Sequence, residues 1–203
     1  HAHGEDARLE FADLHRATLD HADLRRAQLP YASLNAASAQ RARFHRALLH
    51  FADLRKAQLD DADLTEARLD NADLSNALLR NARLADASLR RCAVIQANAQ
   101  YADLHGADLS HTRLASADLR YADLRGADLS DAHLLETQLH RADLAGARLD
   151  RADLRRADLT DTWGLEAEQL CTAWLYDSTR LDAELARHPA VLARIAATAS
   201  RFT

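Results

Sequence analysis

Residues 101–110 read YADLHGADLS and residues 121–130 read YADLRGADLS, two decapeptides that differ at one position and begin 20 residues apart. Each contains Ala-Asp-Leu twice, five residues apart. Working outward from this pair, Ala or a substitute recurs at every fifth position from Ala7 to Ala157. Leu or a substitute follows two positions later, from Leu9 to Leu159, which makes 31 consecutive units without a slip. Leu fills 27 of its 31 slots, the exceptions being Ala39, Phe44, Val94 and Ala99; Ala fills 28, the exceptions being Cys92, Thr112 and Thr137. Every exception is small or apolar enough for a core. Asp sits between Ala and Leu in 13 units.

A period of five fits neither regular element. In an α-helix five residues advance about 140° beyond a full turn, so the Leu series would wind around the whole circumference. In a continuous strand an odd period throws successive Leu residues onto opposite faces. The pattern instead predicts a short extended piece with Ala and Leu pointing inward, followed by a two-residue corner. A slower period counts the corners: Gly106, Gly126 and Gly146 are 20 apart, as are Phe11, Tyr31 and Phe51. Twenty residues is four sides. Stacked at the sheet spacing of ~4.8 Å, 31 units form a rod of roughly 37 Å in which each turn meets the turns above and below.

These residues resemble the pentapeptide-repeat family, whose unit is written A(D/N)LXX. The resemblance covers residues 5–162 and implies an all-β solenoid, a right-handed quadrilateral parallel β-helix of about 8 coils; the spacing of the tail residues adds a C-terminal α-helical cap. Residues 1–4 then form a processed or disordered end, 5–162 the repeat domain and 163–203 the cap. The opening His1-Ala2-His3-Gly4, with no Met in the chain, fits a processed or a trimmed start and leaves export and a cytoplasmic location equally open.

The tail departs from the repeat after Leu159. Leu165, Gln169, Leu170 and Trp174 fall at helical spacing, and from Pro189 to about Ser200 the residues Val191, Leu192, Ile195, Ala196 and Ala199 share one face. Pro189 suits a first helical position. We expect Trp163, Leu170, Trp174, Val191, Leu192 and Ile195 to cover the last coil or to meet a second copy, giving a homodimer through the cap or the coil ends.

Along the outside, residues 20 apart become neighbours. Phe11, Tyr31 and Phe51 make one aromatic column and Tyr101 with Tyr121 another; Ile95, Ala115 and Leu135 make an apolar one. The rings are read first as stacks between turns and second as an interaction surface, in which Leu135 is included.

Composition narrows the function classes. The chain has 203 residues, 48% hydrophobic and 28% charged, with 5 Gly and 2 Pro, which excludes collagen-like, Pro-rich and disordered classes. No apolar run approaches the roughly 18 to 20 residues of a membrane span. Two cysteines, Cys92 and Cys171, cannot write a disulfide framework, and Cys92 occupies an inward slot where a reactive thiol is not expected. No Gly-rich phosphate loop, Cys-x-x-Cys, His-Glu-x-x-His or Gly-x-Ser-x-Gly occurs. The repeated Asp residues share one environment, unlike a catalytic pair, and fit solvated or backbone-bonding corner positions. No catalytic residue and no cofactor is expected. The 11 histidines scatter over different columns, and a square-planar nitrogen site at His1 to His3 arises only if His1 is a free terminus.

The sequence thus reads as a non-catalytic structural or protein-interaction module with an unknown protein partner. The alternative follows from the resemblance, because some pentapeptide-repeat proteins imitate DNA, bind type II topoisomerase and give quinolone resistance. Those relatives tend to carry Phe in the Leu slot, Cys in the Ala slot and interrupting loops, whereas this chain has only Phe44 and Cys92 there and no interruption. The repeat region holds 26 acidic and 22 basic residues, a weak imitation of DNA taken as a whole. Direct nucleic-acid binding is disfavoured, since the arginines lie among acids and form no basic stripe.

Overall fold

The computed structural model describes residues 4–200; the nitrogen site that would arise at His1 to His3 only from a free terminus lies outside them. Through the repeats the backbone obeys one five-residue cycle. The middle residue of each Ala-x-Leu triplet pairs through isolated bridges with the turns next to it, and a two-residue turn follows the Leu. Every bridge in the repeats is parallel and joins residues 20 apart, as in Asp13 to Ser33, Ser33 to Asp53 and Asp53 to Asp73.

These bridges correct the expected all-β class. Among the described residues no strand and no sheet forms, and the only regular elements are three short helices. The description as a quadrilateral parallel β-helix, or β-solenoid, is therefore replaced by successive turns joined through isolated bridges. The reason lies at the corners. The second turn residue of each unit has φ between 54° and 67°, from Asp6 to Asp161, so extended backbone never lasts long enough for neighbouring bridges to merge into a strand. Three of these corners are Gly106, Gly126 and Gly146; the rest hold L-residues in the left-handed region, at a local cost that the surrounding packing offsets.

Backbone hydrogen bonding closes within this scheme. In the unit beginning at Leu54, the Leu54 N–H donates to Asp73 O (2.8 Å), Lys56 to Ser75 O (3.0 Å), Ala57 to Leu54 O (3.0 Å) and Gln58 to Ala37 O (2.9 Å). Four amides in five are thus satisfied by backbone, three across turns and one within its own corner. The fifth, Arg55 N–H, bonds the Asp53 carboxylate (3.1 Å).

The Ala and Leu slots form one continuous core from Ala22 onward, while Ala7, Leu9, Leu14 and Leu19 in the first turn are only partly buried. Burying a Leu contributes roughly 1.5 to 3 kcal/mol, so the column as a whole carries the stability. Each departure from Ala is accommodated in one way. Thr112 Oγ1 donates to Leu89 O (2.9 Å), Thr137 Oγ1 to Leu114 O (2.8 Å), and the Cys92 thiol faces Leu69 O (2.9 Å). A small donor in this slot meets the carbonyl of a Leu one turn below, so its polar atom is not stranded. Burial pushes the Cys92 thiol up to about 12, which makes it a packing group rather than a nucleophile.

The tail begins by extending the bridge pattern. Trp163 bridges Asp143, Trp174 bridges Asp153 and Arg180 bridges Asp158. Between and after these come α1 (Ala167–Thr172), α2 (Ala183–Arg187) and α3 (Pro189–Ala199). At the start of α1 the Gln169 side chain accepts from Glu166 N–H (2.7 Å) and donates to Leu144 O (2.9 Å) and Ala147 O (2.8 Å). Gln169 thereby caps its own helix and covers carbonyls that the last turn leaves open. Pro189 opens α3, whose buried residues are Val191 and Thr198. No helix among the described residues is long and apolar enough to cross a membrane.

Candidate interaction surfaces

The aromatic columns are assembled by the 20-residue neighbour relation. Phe11 and Tyr31 stack with centroids 5.1 Å apart and planes 6° apart, Tyr31 and Phe51 at 4.9 Å and 2°, Tyr101 and Tyr121 at 4.8 Å and 6°. These rings all stand on corner residues with positive φ, which points them outward. Tyr31 is stacked on both faces, whereas Phe11, at 75% exposure, is an open end of its column. Such a pair contributes about 0.5 to 1.5 kcal/mol. Leu135 is half-buried on a different corner.

The tail residues expected to act together are separated. Leu170 and Val191 are buried, Trp174 and Ile195 half-buried, and Trp163 (68%) and Leu192 (51%) exposed. Trp163 stands at the end of the column through Asp123 and Asp143 instead of under the helices. Trp174 is covered by the Arg194 guanidinium, 5.6 Å from its ring centroid, and Arg194 Nε donates to Ala173 O (2.5 Å).

Charge is ordered by the same geometry. Wherever Asp-Leu-Arg occurs, the Arg folds back on the Asp two residues earlier: Arg25 on Asp23, Arg55 on Asp53, Arg125 on Asp123, Arg155 on Asp153. Asp side chains of other units accept the backbone N–H at the following corner, as Asp73 does from Ser75 (2.9 Å) and Asp143 from Ala145 (3.1 Å). The paired guanidinium holds the carboxyls of Asp53 and Asp123 below the usual range and takes Asp23 down to about 2.

One cluster was invisible to histidine spacing. Asp103, His105 and Asp123 bring potential ligand atoms within 4.8 Å of one another. His105 Nδ1 lies 2.5 Å from Asp103 Oδ1, and that hydrogen bond raises the imidazole's pKa. Asp123 is engaged by Arg125, so a divalent cation would have to displace a guanidinium and a proton here. The signal that finds this cluster is the offset of 20 between the two Asp residues combined with the Asp-x-His pair.

The family described as "Pentapeptide repeats" matches in eight copies, across residues 7–46, 31–65, 42–81, 57–93, 95–131 and 122–161. The chain belongs to the pentapeptide-repeat family. Among solved structures, a trypsin-treated variant of QnrB1, described as a plasmid-mediated fluoroquinolone resistance protein, aligns with a TM-score of 0.59 at 16% identity, over 91% of this chain and 92% of that one. A second trypsin-treated QnrB1 variant aligns at 0.52, with 19% identity over 88% and 87%. HetL of Nostoc sp. strain PCC 7120, described as involved in heterocyst differentiation regulation, is 32% identical over 80% of this chain and 78% of that one, with a TM-score of 0.29. No curated protein matches the sequence.

Proposed function

We propose that this chain is a non-catalytic binding module that engages a partner protein along its flanks, and that the partner is a type II topoisomerase met by imitation of DNA. The observation that carries the second part is the end-to-end likeness to QnrB1, a fluoroquinolone resistance protein, over more than nine-tenths of both chains. Within the family, the resemblance set out above links quinolone resistance to topoisomerase binding.

The charge distribution supports this reading better than the overall total does. Residues 5–100 hold 14 acidic and 14 basic side chains, whereas residues 101–161 hold 12 acidic and 8 basic. The repeat region's whole acidic excess therefore sits in its second half. Asp103, Asp123 and Asp143 stand in consecutive bridge positions there, one turn apart at about 4.8 Å. That spacing is of the order of the ~3.4 Å of helix axis per phosphate of one DNA strand. His105 and Arg125 pair with these carboxylates, and it is the net acidic excess of residues 101–161 that a groove built for duplex DNA would meet.

A DNA gyrase supercoiling assay tests the proposal. Stoichiometric chain should inhibit supercoiling, or protect the enzyme from a fluoroquinolone, and the triple substitution Asp103→Asn, Asp123→Asn, Asp143→Asn should weaken the effect. Absence of both inhibition and protection at tenfold excess contradicts the topoisomerase reading.

A further inference from the structure

On the flank opposite that acidic column, where Ala93, Arg113, His133, Asp153 and Trp174 succeed one another, the chain carries a groove of a different character. Its lower part, about 280 Å³, is floored by the column Ile95, Ala115 and Leu135. Its upper part, about 570 Å³, is walled by Trp174 and Tyr176 of the tail. Both parts share His133, Asp153 and Arg155 in their walls, so they adjoin along the flank. From Ile95 to Tyr176 the groove crosses about four turns, roughly 19 Å, the reach of an extended segment of about six residues.

The groove's charge is opposite to that of the chain. Its guanidiniums are Arg113, Arg151 and Arg155, against the carboxylates of Asp131 and Asp153. Arg151 is bound to Asp131 and Arg155 to Asp153, with the Arg155 guanidinium 5.8 Å from the Tyr176 ring centroid. Arg113 alone has no carboxylate partner among the described residues, and it is exposed at the edge of the apolar floor. In a chain of net charge −5, an apolar trough with an unneutralised Arg selects for an anionic, partly apolar occupant.

We propose that this groove docks an extended acidic segment of a partner protein. A carboxylate of that segment pairs with Arg113, and an aliphatic or aromatic side chain next to it lies between Leu135 and Tyr176. Aromatic walls with an Arg are the residue types that anchor such interfaces. This site is separate from the acidic flank and does not depend on topoisomerase binding.

The probe is a fluorescein-labelled peptide Glu-Leu-Glu-Phe-Glu-Leu, titrated with the full chain and followed by anisotropy, beside a Lys-for-Glu counterpart. The acidic peptide should bind and the basic one should not. Arg113→Glu should weaken binding about tenfold or more, and Tyr176→Ala should also weaken it. Arg113 is exposed, and an unchanged thermal midpoint for Arg113→Glu confirms intact folding. Equal binding of both peptides, or no effect of Arg113→Glu in a folded variant, overturns the proposal. So does light scattering in which Arg113→Glu turns a dimer of the wild-type chain into a monomer, since the occupant would then be a second copy.

Discussion

At the residue scale, the Leu slots set volumes turn by turn. Ala39 and Phe44 occupy neighbouring slots of the same turn, and both are fully buried, so the small residue leaves the room that the large one takes. Ala39→Leu alone should overpack the turn by about 1 to 3 kcal/mol. Phe44→Leu alone should leave a void and destabilise as well, whereas the pair together should cost clearly less than the sum. Urea unfolding of the three variants measures the coupling, and strict additivity contradicts shared volume. The corners make a second prediction. At Gly126 (φ +65°) an added Cβ meets nothing within 4 Å, so Gly126→Ala should cost only the left-handed strain, about 1 to 2 kcal/mol. At Gly164 (φ +63°) the Cβ would lie 2.5 to 2.9 Å from Ala145, including its backbone, so Gly164→Ala should cost distinctly more. Equal losses at the two sites contradict this difference.

At the element scale, the repeat was legible in the sequence and the tail was only partly so. Fixed slots for Ala and Leu reveal the five- and twenty-residue periods because a narrow interior constrains every unit alike. Those periods describe where side chains point; they do not say whether bridges merge into strands, and the positive-φ corners prevent that. The helical spacing at Leu165 to Trp174 also misled in part, since Trp174 lies past the end of α1 in a bridge to Asp153. Trp174 and Arg180 bridge residues 21 and 22 positions back instead of 20, so the column rule fails where the groove's aromatic wall begins. That shift is why the groove could not be read from columns. The tail's attachment is testable through Gln169, whose amide covers the carbonyls of Leu144 and Ala147. Gln169→Ala should destabilise the chain by about 1 to 3 kcal/mol. A neutral result would mean those carbonyls are satisfied otherwise.

At the scale of the whole molecule, many paired carboxylates set an acid limit. Asp23, Asp53, Asp118, Asp123 and Asp128 all have lowered pKa values. At Asp23, Asp53 and Asp123 an Arg pair lowers them. At Asp118 and Asp128 burial works the other way and is outweighed, by Arg120 with Gln100 and by Ser130 with Arg148. The unfolded chain binds protons more readily at these sites, so their stabilisation is complete above the unfolded value of about 4 and is lost as pH falls through the folded values, near 2 for Asp23. Near neutrality two histidines act in opposite senses. Burial depresses His50, which favours the fold above its ordinary value, and Asp103 raises His105, which favours the fold below it. Urea midpoints should therefore change little between about pH 7 and 5 and drop between about pH 4 and 2; a steep loss between pH 7 and 5 contradicts this balance.

The coil of five-residue units is tested most directly by amide hydrogen exchange resolved residue by residue. In the interior turns of the repeats, the N–H groups of the Leu slot, the second corner, the Ala slot and the bridge position are bonded to backbone, while that of the first corner residue is not. Exchange should therefore rise at every fifth residue, most at corners such as His45, His50, Arg90 and Ile95, and least where an Asp side chain holds that amide, as at Gln40, Thr65 and Ser75. Protection with a period of two, or continuous protection over stretches of ten or more residues, would contradict the account.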